Sequence, residues 1–447
     1  MLDQHKLERM GLPCVIIVAE KFRASAETHA RAFGAGTLAF AFVPDCFTSI
    51  PDDQVRVQAL DGVDAIVEGL TSPRSAPSSL PMAQAPEPET ETFDAEDLLA
   101  CFHKMNRAFT SRGWSDGFPL LPPTREVVED LVRGTGRDPS DVVTTMPPAS
   151  GMATVLHIAA NAAMAGCVAE EMPVILAAVR ALTTYPFPCR TALVSTGGYG
   201  QLYLVNGPIG KAIGMNSGTA ALVPGSPSRV NMRLARAMRL IVMNVGRAYP
   251  TLLDASTVGS PRKFNMFVVE NVEASPWVPF HADRGYAPEA NTVTAFNTLS
   301  DVDVLDVFNS AADGIARTLA AYSTYPSGEF LGWEERWGKD TNHSARVLLL
   351  VGPEHAQMLA GAGWTRDGLK RYLHENARIP AAWFKNIHRN HPERNAPEYR
   401  WVMDAPDDLP ILSTESPEMF HIAVVGGTAG RSLSLKCYGY PVTVSVE

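Results

Sequence analysis

The segment FNMFVVENVEASPWVPFHADRGYAP, residues 264–288, holds the densest set of side chains that can do acid–base chemistry. An apolar run of the strand type delivers Glu270 and Asn271 to its end, and His281 and Arg284 follow. A carboxylate, an amide, an imidazole and a guanidinium close together are what a polar pocket needs for proton transfer. We predict that His281 is the acid–base group and that Glu270 orients it or acts as a second carboxylate.

The same segment also contains residues suited to holding a substrate. Ser275 and Trp277 belong to a rigid SPW turn, and the indole is predicted to form an apolar wall. Asn271 and Arg284 are predicted to bind polar or anionic groups. The alternative for His281 is a histidine whose nitrogens are satisfied by the protein itself.

A second candidate is the loop NGPIGKAIGMNSG, residues 206–218. Glycine and asparagine tolerate positive φ and let backbone amides converge on an anion or a carbonyl. We predict that Asn206, Asn216 and Ser217 bind substrate there. The spacing is not that of a dinucleotide or P-loop fingerprint, and an ordinary ordered loop remains the alternative.

Two further residues are candidates for catalysis. Asp116 lies in the turn-rich stretch GWSDGFPLLPPT and is interpreted either as an Asx-turn residue or as a catalytic carboxylate. Cys167 follows the alanine-rich stretch 156–166, and a following helix N-terminus would favour its thiolate, whereas Glu170 and Glu171 would oppose it. A buried packing thiol is the alternative for Cys167.

Metal binding has little support in the sequence. His388 and His391 form the one close histidine pair, and without a third ligand they are interpreted as part of a solvated basic loop. The adjacent pair Glu354–His355 would point to different faces of a helix. We therefore assign no cofactor and keep a metal site as an alternative.

Composition excludes several classes of protein. The 447 residues contain 38 Lys+Arg and 48 Asp+Glu, and a net charge of −10 argues against a nucleic-acid binder. No apolar stretch has the length of a membrane span, and the charged first residues differ from a signal peptide. Six scattered cysteines without a CxxC pair do not form a disulfide framework. We predict a cytoplasmic bacterial protein.

The chain divides into a small and a large α/β part. Residues 71–92, rich in Pro, Ser, Ala and Glu, are predicted to be a linker. Before it, the order α-β-α-β-α over residues 1–70, with helices at 2–10, 22–34 and 52–69 and strands at 13–18 and 37–43, predicts parallel strands in a small domain. Residues 93–447 are predicted to form a large mixed α/β domain.

The helices and strands of the large domain are predicted mainly from apolar runs and helical periodicities in the sequence. Helices are predicted at 94–111, 124–134, 151–165, 170–184, 228–243, 301–321, 353–361 and 366–376. Strands are predicted at 191–196, 201–206, 265–271, 346–351 and 421–425.

Motifs from both parts point to one family. They are DQHKLERMGLPCVIIVAEKF at the start and GWSDGFPLLPPT, ANAAMAGC, NGPIG, MNSG, ENVEASPWVPFHADRG, GPEHA, HENARIP and VVGGTAG further on. Together they resemble the bacterial UGSC-type (seleno)protein family. The positions that match its motifs in the large domain are Asp116, Asn161, Cys167, Asn206, Asn216, Glu270, Asn271, Ser275, Trp277, His281 and Arg284.

The resemblance implies thiol or selenol chemistry. The N-terminal pattern is similar, more distantly, to the substrate-activating selenoprotein of glycine-reductase systems, in which a selenol or thiol attacks carbon and expels a leaving group. The Gly-Ser-Cys motif that names the family is absent ahead of Asp3. We therefore expect the first strand and the nucleophile loop to be supplied by a separate short polypeptide, to be encoded upstream, or to be unnecessary.

Three functions remain open at this stage. The first is an enzyme, or its large subunit, that makes or breaks a carbon–heteroatom bond on a small molecule by thiol-type covalent chemistry. The second is a non-catalytic partner that completes a separate nucleophile-bearing subunit, in a homo- or hetero-oligomer. The third is a metal-dependent hydrolase or lyase using His281 with Glu270 or His355.

Overall fold

A computed structural model of the chain provides the three-dimensional structure. It describes residues 4, 7–8, 10–23, 26–27, 30, 38–45, 50–72, 90–325, 331, 344–389 and 397–447. Most of the predicted linker at 71–92, the greater part of the predicted helix at 22–34, and the residues Cys46 and His391 lie outside these residues. Among the helices described, none combines the length and the apolar character needed to cross a membrane.

The small N-terminal unit contains the predicted parallel strand pair. Strand β1, Val15–Ala19, pairs with β2, Ala39–Val43, in parallel register from Val15 opposite Ala39. Helices α1, Asp52–Asp61, and α2, Val63–Thr71, follow where one helix was predicted. They are separated at Gly62. The parallel arrangement requires a crossover between the strands, as the alternating element order predicts.

A seven-stranded mixed sheet organises the large unit. Its strands are β5 Gly200–Asn206, β6 Met266–Val269, β7 Thr292–Leu305, β8 Ala345–Val351, β11 Phe420–Val424, β12 Arg431–Tyr438 and β13 Val442–Ser445. They are paired in the order β11-β8-β12-β7-β5-β6, with β13 also paired to β7. Parallel pairs form each end of this order, and the pairs along its middle are antiparallel.

Strand β7 joins two halves of the sheet because its first residues pair with β5 and its last residues pair with β12. Side chains alternate along each strand, so Leu202 and Leu204 pack in one cluster, whereas Tyr203 and Val205 pack in another. The first cluster collects residues from both halves, including Leu348 on β8. In the second cluster, helices pack against the β5–β6 half of the sheet.

The helices pack on the outer faces of the two halves. The cluster on the β5–β6 side includes α5, α6 and α9, and the cluster on the β8–β11 side includes α10, α11 and α12. Their bounds are α5 Val155–Ala165, α6 Met172–Thr183, α9 Arg229–Asn244, α10 Ala312–Tyr322, α11 Pro353–Gly361 and α12 Arg366–Asn376. The other elements are α3 Leu98–Ser111, α4 Arg125–Arg133, α7 Cys189–Val194, α8 Ile209–Ala212, α13 Ala381–His388, α14 Pro397–Met403, β3 Val142–Met146, β4 Gly151–Thr154, β9 Arg378–Pro380 and β10 Pro410–Leu412.

Three predicted elements are wrong. The predicted strand 191–196 is the helix α7, and the predicted helix 151–165 begins as strand β4. The predicted helix 301–321 starts inside β7 and becomes helical only at Ala312. In that last case the sequence SDVDVL alternates polar and apolar residues, which is the period of a strand rather than of a helix.

Candidate active site

Glu270 lies at the carboxyl end of β6, beside the carboxyl end of the parallel strand β5, where Asn206 is the last residue. Its side chain is fully buried. Asn206 Nδ2 and the backbone amide of Phe280 both donate to Glu270 Oε2, the latter at 2.7 Å. The fold therefore holds one carboxyl oxygen firmly by two donors and shields the group from solvent.

Burial raises the pKa of Glu270 to about 7, against the opposing effects of the Phe280 amide, Arg366 and Asn206. Desolvation disfavours the charged carboxylate, and these neighbours only partly compensate for it. A carboxyl group with this pKa populates both protonation states near neutral pH. It can therefore give and take a proton, which is the property required of a general acid–base group.

Arg366, at the start of α12, is the charged neighbour of Glu270. Its Nη2 lies 3.8 Å from Glu270 Oε1, and its Nη1 lies 2.9 Å from Asp283 Oδ2. Lys370, one turn further along the helix, lies 3.3 Å from the same Asp283 oxygen. Sequence reasoning missed Arg366 and Lys370, because nothing local to either residue links it to a strand end so far away in the chain.

Three buried acceptor atoms near the strand ends have no hydrogen-bond partner among the described residues. They are Glu270 Oε1, Asn206 Oδ1 and Thr292 Oγ1. Asn206 and Thr292 face each other across the β5–β7 pair, and Asn206 contacts Glu270 directly. Because buried acceptors are nearly always satisfied, this group is suited to receiving a donor from a bound molecule or water.

His281 is buried beside this group, but it does not hydrogen-bond to Glu270. Its Nε2 lies 2.9 Å from the Ala287 carbonyl, so this nitrogen carries the hydrogen of a neutral ring. Burial lowers the pKa of His281, which favours that neutral form. The predicted orientation of His281 by Glu270 is therefore not found, since Asn206 and the Phe280 amide hold the carboxylate instead.

Asn271, Ser275 and Trp277 shape the loop after β6. Asn271 Nδ2 donates to the Gly426 carbonyl at 3.1 Å, and Ser275 Oγ donates to the Trp277 carbonyl at 3.0 Å. The Trp277 indole donates to the Trp364 carbonyl at 3.0 Å. These bonds fix the loop against neighbouring strands and helices, and the predicted substrate contacts of the three residues stay a prediction.

Several amides of the loop 206–218 form hydrogen bonds within the protein. Asn216 N donates to Asn231 Oδ1 at 2.9 Å, and Gly426 N donates to the Ser217 carbonyl at 2.8 Å. Asn216 Oδ1 accepts from the Gly218 amide. This arrangement opposes the predicted role of the loop amides as an anion nest, because amides and side chains in the loop bond to each other and to neighbouring segments.

Asp116 lies at a helix–turn contact away from Glu270. Phe118 N donates to Asp116 Oδ1 at 3.2 Å, which is the Asx turn that the sequence offered as the structural interpretation. Arg236 binds both carboxyl oxygens, at 2.7 and 2.9 Å. Through these contacts Asp116 holds the turn against α9. They do not support its predicted catalytic role.

Cys167 is buried, and burial followed by the neighbouring Glu171 raises its thiol pKa well above the ordinary value. This opposes the thiolate predicted from a helix N-terminus, because burial first and the Glu171 carboxylate second both disfavour the charged form of the thiol. Burial also raises the pKa of Cys189 and of Cys437 to about 12. Cys14 and Cys101 are partly exposed.

A surface cleft of about 510 Å³ adjoins the loop that follows Glu270, at Ala274. Glu354 Oε2 accepts from Gly430 N at 2.7 Å, which links the start of α11 to the glycine-rich loop after β11. Three of the predicted motifs, ENVEAS, GPEHA and VVGGTAG, meet at this cleft. Its lining residues are Ala274, Pro353, Glu354, Gln357, Thr428 and Ala429.

Metal ligands do not cluster within the described part of the chain, where no group of three or more His, Cys, Asp and Glu side chains is arranged to hold an ion. His355 has both ring nitrogens occupied, by Ser432 Oγ at 2.8 Å and the Asp306 carbonyl at 2.9 Å. His388 is buried and stacks on Phe384, which corrects its interpretation as part of a solvated loop.

Comparison with known protein families gives a match to the small unit. The family model of the UGSC family matches residues 1–72. Residues 1–72 are a UGSC family domain. The match covers the parallel strand pair and the helices α1 and α2, and the UGSC resemblance of the large-unit motifs stays a prediction. No curated protein and no solved structure matches the chain.

Proposed function

We propose that this UGSC-domain protein is an enzyme, or the large subunit of one, that makes or breaks a carbon–heteroatom bond, of the C–S or C–N type, by thiol- or selenol-type covalent chemistry. Glu270 acts as its general acid–base group. The observation that supports the proposal is the buried carboxyl group with a pKa of about 7 at the ends of β5 and β6. The UGSC domain supports the thiol or selenol component.

In the proposed step, a thiolate or selenolate attacks the substrate carbon and forms a bond to it as the carbon–heteroatom bond breaks. The leaving heteroatom takes the electron pair of that bond and a proton from Glu270. The new Glu270 carboxylate is then stabilised by Arg366 at 3.8 Å and by the Asn206 and Phe280 donors. Asn206 Oδ1 and Thr292 Oγ1, which have no hydrogen-bond partner among the described residues, accept hydrogen bonds from the substrate.

A pH titration of stability tests whether Glu270 has the required pKa. The pKa is raised from 4.5 to about 7, so the folded state holds a proton that the unfolded state has lost in this interval. Stability should therefore fall as pH rises from about 4.5 to 7, by up to ~3 kcal/mol from this group. Urea unfolding of the wild type and of Glu270→Gln, at pH values from 5 to 8, measures the difference.

The Glu270→Gln variant should gain stability relative to wild type as the pH rises and show no such gain at pH 5. Glu289→Gln, a change of the same kind at an exposed carboxylate, is the control and should track wild type throughout. A wild-type-minus-variant difference that stays flat from pH 5 to 8 would place the Glu270 carboxyl near its ordinary pKa and remove the basis of the proposal.

A separate nucleophile-bearing subunit is the second candidate arrangement, and one observation favours it. The small unit exposes apolar side chains, including Ile17 on β1 at 46% and Val67 on α2 at 51%. Within the described residues its sheet has only two strands, so each strand has one edge without a partner strand there. A strand and loop from another polypeptide would cover this surface.

Co-purification tests this arrangement. The full chain, expressed with a small protein that carries a Gly-Ser-Cys motif, should retain that protein through gel filtration. Ile17→Lys should abolish retention, because it puts a charge at the apolar face. Val258→Lys, at a large-unit residue that is 95% exposed, should not. A monomer of the full chain that turns over substrate alone would exclude the separate subunit.

A further inference from the structure

Basic side chains gather around Phe280, the residue whose backbone amide holds Glu270. The Arg284 guanidinium carbon lies 5.7 Å from the centre of the Phe280 ring. The His421 ring, on β11, lies 6.4 Å from Phe280 and 5.5 Å from Phe296, with both pairs edge-on or tilted. The Phe280 backbone amide thus contacts the Glu270 carboxyl, while the Phe280 ring contacts Arg284 and His421.

Arg284 forms no ion pair with a carboxylate among the described residues. Its Nη2 donates to the Pro441 carbonyl at 2.8 Å, and in the described part of the chain no carboxylate lies within 4.0 Å of it. The neighbouring Asp283 is engaged by Arg366 at 2.9 Å and by Lys370 at 3.3 Å. Burial and the nearby charge of Arg346 lower the pKa of Arg284, and Tyr286 and Asp283 offset this only in part.

His421 adds a buried polar atom that has no hydrogen-bond partner among the described residues. The residue is only 8% exposed, and its Nε2 makes no hydrogen bond within the described structure. Burial lowers the pKa of His421 well below its ordinary value, and Arg346, Arg284 and Lys370 lower it further. The His421 ring is therefore neutral and can donate one N–H to an anionic group. The surrounding cations would attract the same group.

We infer that Arg284 and His421 form an oxyanion subsite, and that the substrate carries a carboxylate or phosphate group that binds there. This inference rests on the proposed function, because it assigns the far end of the same small molecule whose reacting carbon lies at Glu270. A guanidinium and an imidazole N–H are matched to an oxyanion, since charge-assisted hydrogen bonds are about twice as strong as neutral ones. The buried Phe280 and Phe296 rings pack beside His421.

Binding of simple anions to the full chain tests the subsite. Inorganic phosphate and acetate are titrated separately by calorimetry, at an ionic strength held constant with sodium chloride. At least one of them should bind saturably, and the one that binds identifies the headgroup. Arg284→Gln should weaken that binding about tenfold or more, because it removes a charged donor. His421→Phe, which keeps an aromatic ring among Phe280 and Phe296, should weaken it severalfold.

Two controls separate the possible outcomes. Arg317→Gln makes the same change at an exposed arginine of α10, which bonds only to the Asp313 carbonyl in the described structure, and it should bind as wild type does. Arg284→Lys should retain much of the binding because the charge stays. Equal binding by wild type and Arg284→Gln, or no saturable binding of either anion, overturns the subsite.

Glu270→Gln distinguishes this inference from the proposed function. This variant should bind the anion as tightly as wild type. If it also keeps its turnover, the acid–base role fails while the subsite stands. If turnover is lost but Arg284→Gln binds anions normally, the subsite fails while the acid–base role stands.

Discussion

Glu270→Gln is expected to lower turnover by about 10²–10⁴-fold, the usual contribution of a general acid–base group. Glutamine keeps a carbonyl oxygen that accepts from Asn206 and from the Phe280 amide, so the local hydrogen bonds are preserved. It cannot deliver a proton to a leaving heteroatom. The measurement is the rate of ammonia or thiol release at saturating substrate, at pH values on both sides of 7.

The shape of the pH profile adds an independent criterion. In the wild type, the rate should change with an apparent pKa near 7, and this inflection should be absent in Glu270→Gln. Glu289→Gln should keep both rate and inflection. A Glu270→Gln enzyme that turns over within about threefold of wild type would mean that another group transfers the proton.

Continuous apolar strands were the part of the fold most open to sequence prediction. The runs over 201–206, 346–351 and 421–425 became β5, β8 and β11, because strands covered on both faces must be apolar throughout. The antiparallel strands were harder. Strand β12 reads RSLSLKCY, with Ser434 and Lys436 buried among its apolar residues, and it was missed entirely.

The buried polar residues of β12 are explained only by tertiary contacts. Lys436 Nζ donates to the Tyr322 carbonyl at 2.8 Å and to Ser434 Oγ at 3.2 Å. Those partners lie on α10 and on the strand itself. Hydrophobicity along the chain cannot predict a buried lysine whose acceptor belongs to another element.

The candidate site shows the same division between local and tertiary information. The place of Glu270 at a strand end was predictable, because the apolar run before it ends in this carboxylate. Its actual partners were not, since pairing it with His281 relied on closeness in sequence. The structure instead pairs Glu270 with Asn206 on the neighbouring strand and places Arg366, from a distant helix, 3.8 Å away.

A row of three arginines on α9 shows how the large unit positions its turns and helices. Arg233, Arg236 and Arg239 recur at intervals of three, the helical spacing that puts side chains on one face. Each lies near a buried carboxylate from a different segment. The pairs are Arg233 with Glu171, Arg236 with Asp116, and Arg239 with Asp254 at 4.0 Å.

Arg233→Met is expected to destabilise the fold by about 3–5 kcal/mol, the range for removing one partner of a buried ion pair. Glu171 is fully buried, and besides Arg233 it accepts hydrogen bonds from the Val168 amide at 3.2 Å and from the Cys167 thiol. Without Arg233 the carboxylate must either stay charged in a desolvated site or take up a proton. Urea unfolding at neutral pH measures the loss.

Two variants show whether the buried charge is the cause. Arg133→Met removes an arginine of similar size from the exposed pair with Asp130, at 68% and 59% side-chain exposure, and should cost far less. Adding Glu171→Gln to Arg233→Met should recover part of the stability, because the uncompensated charge is then gone. If the double variant is no more stable than Arg233→Met, the loss comes from the packing of the arginine stem rather than from its charge.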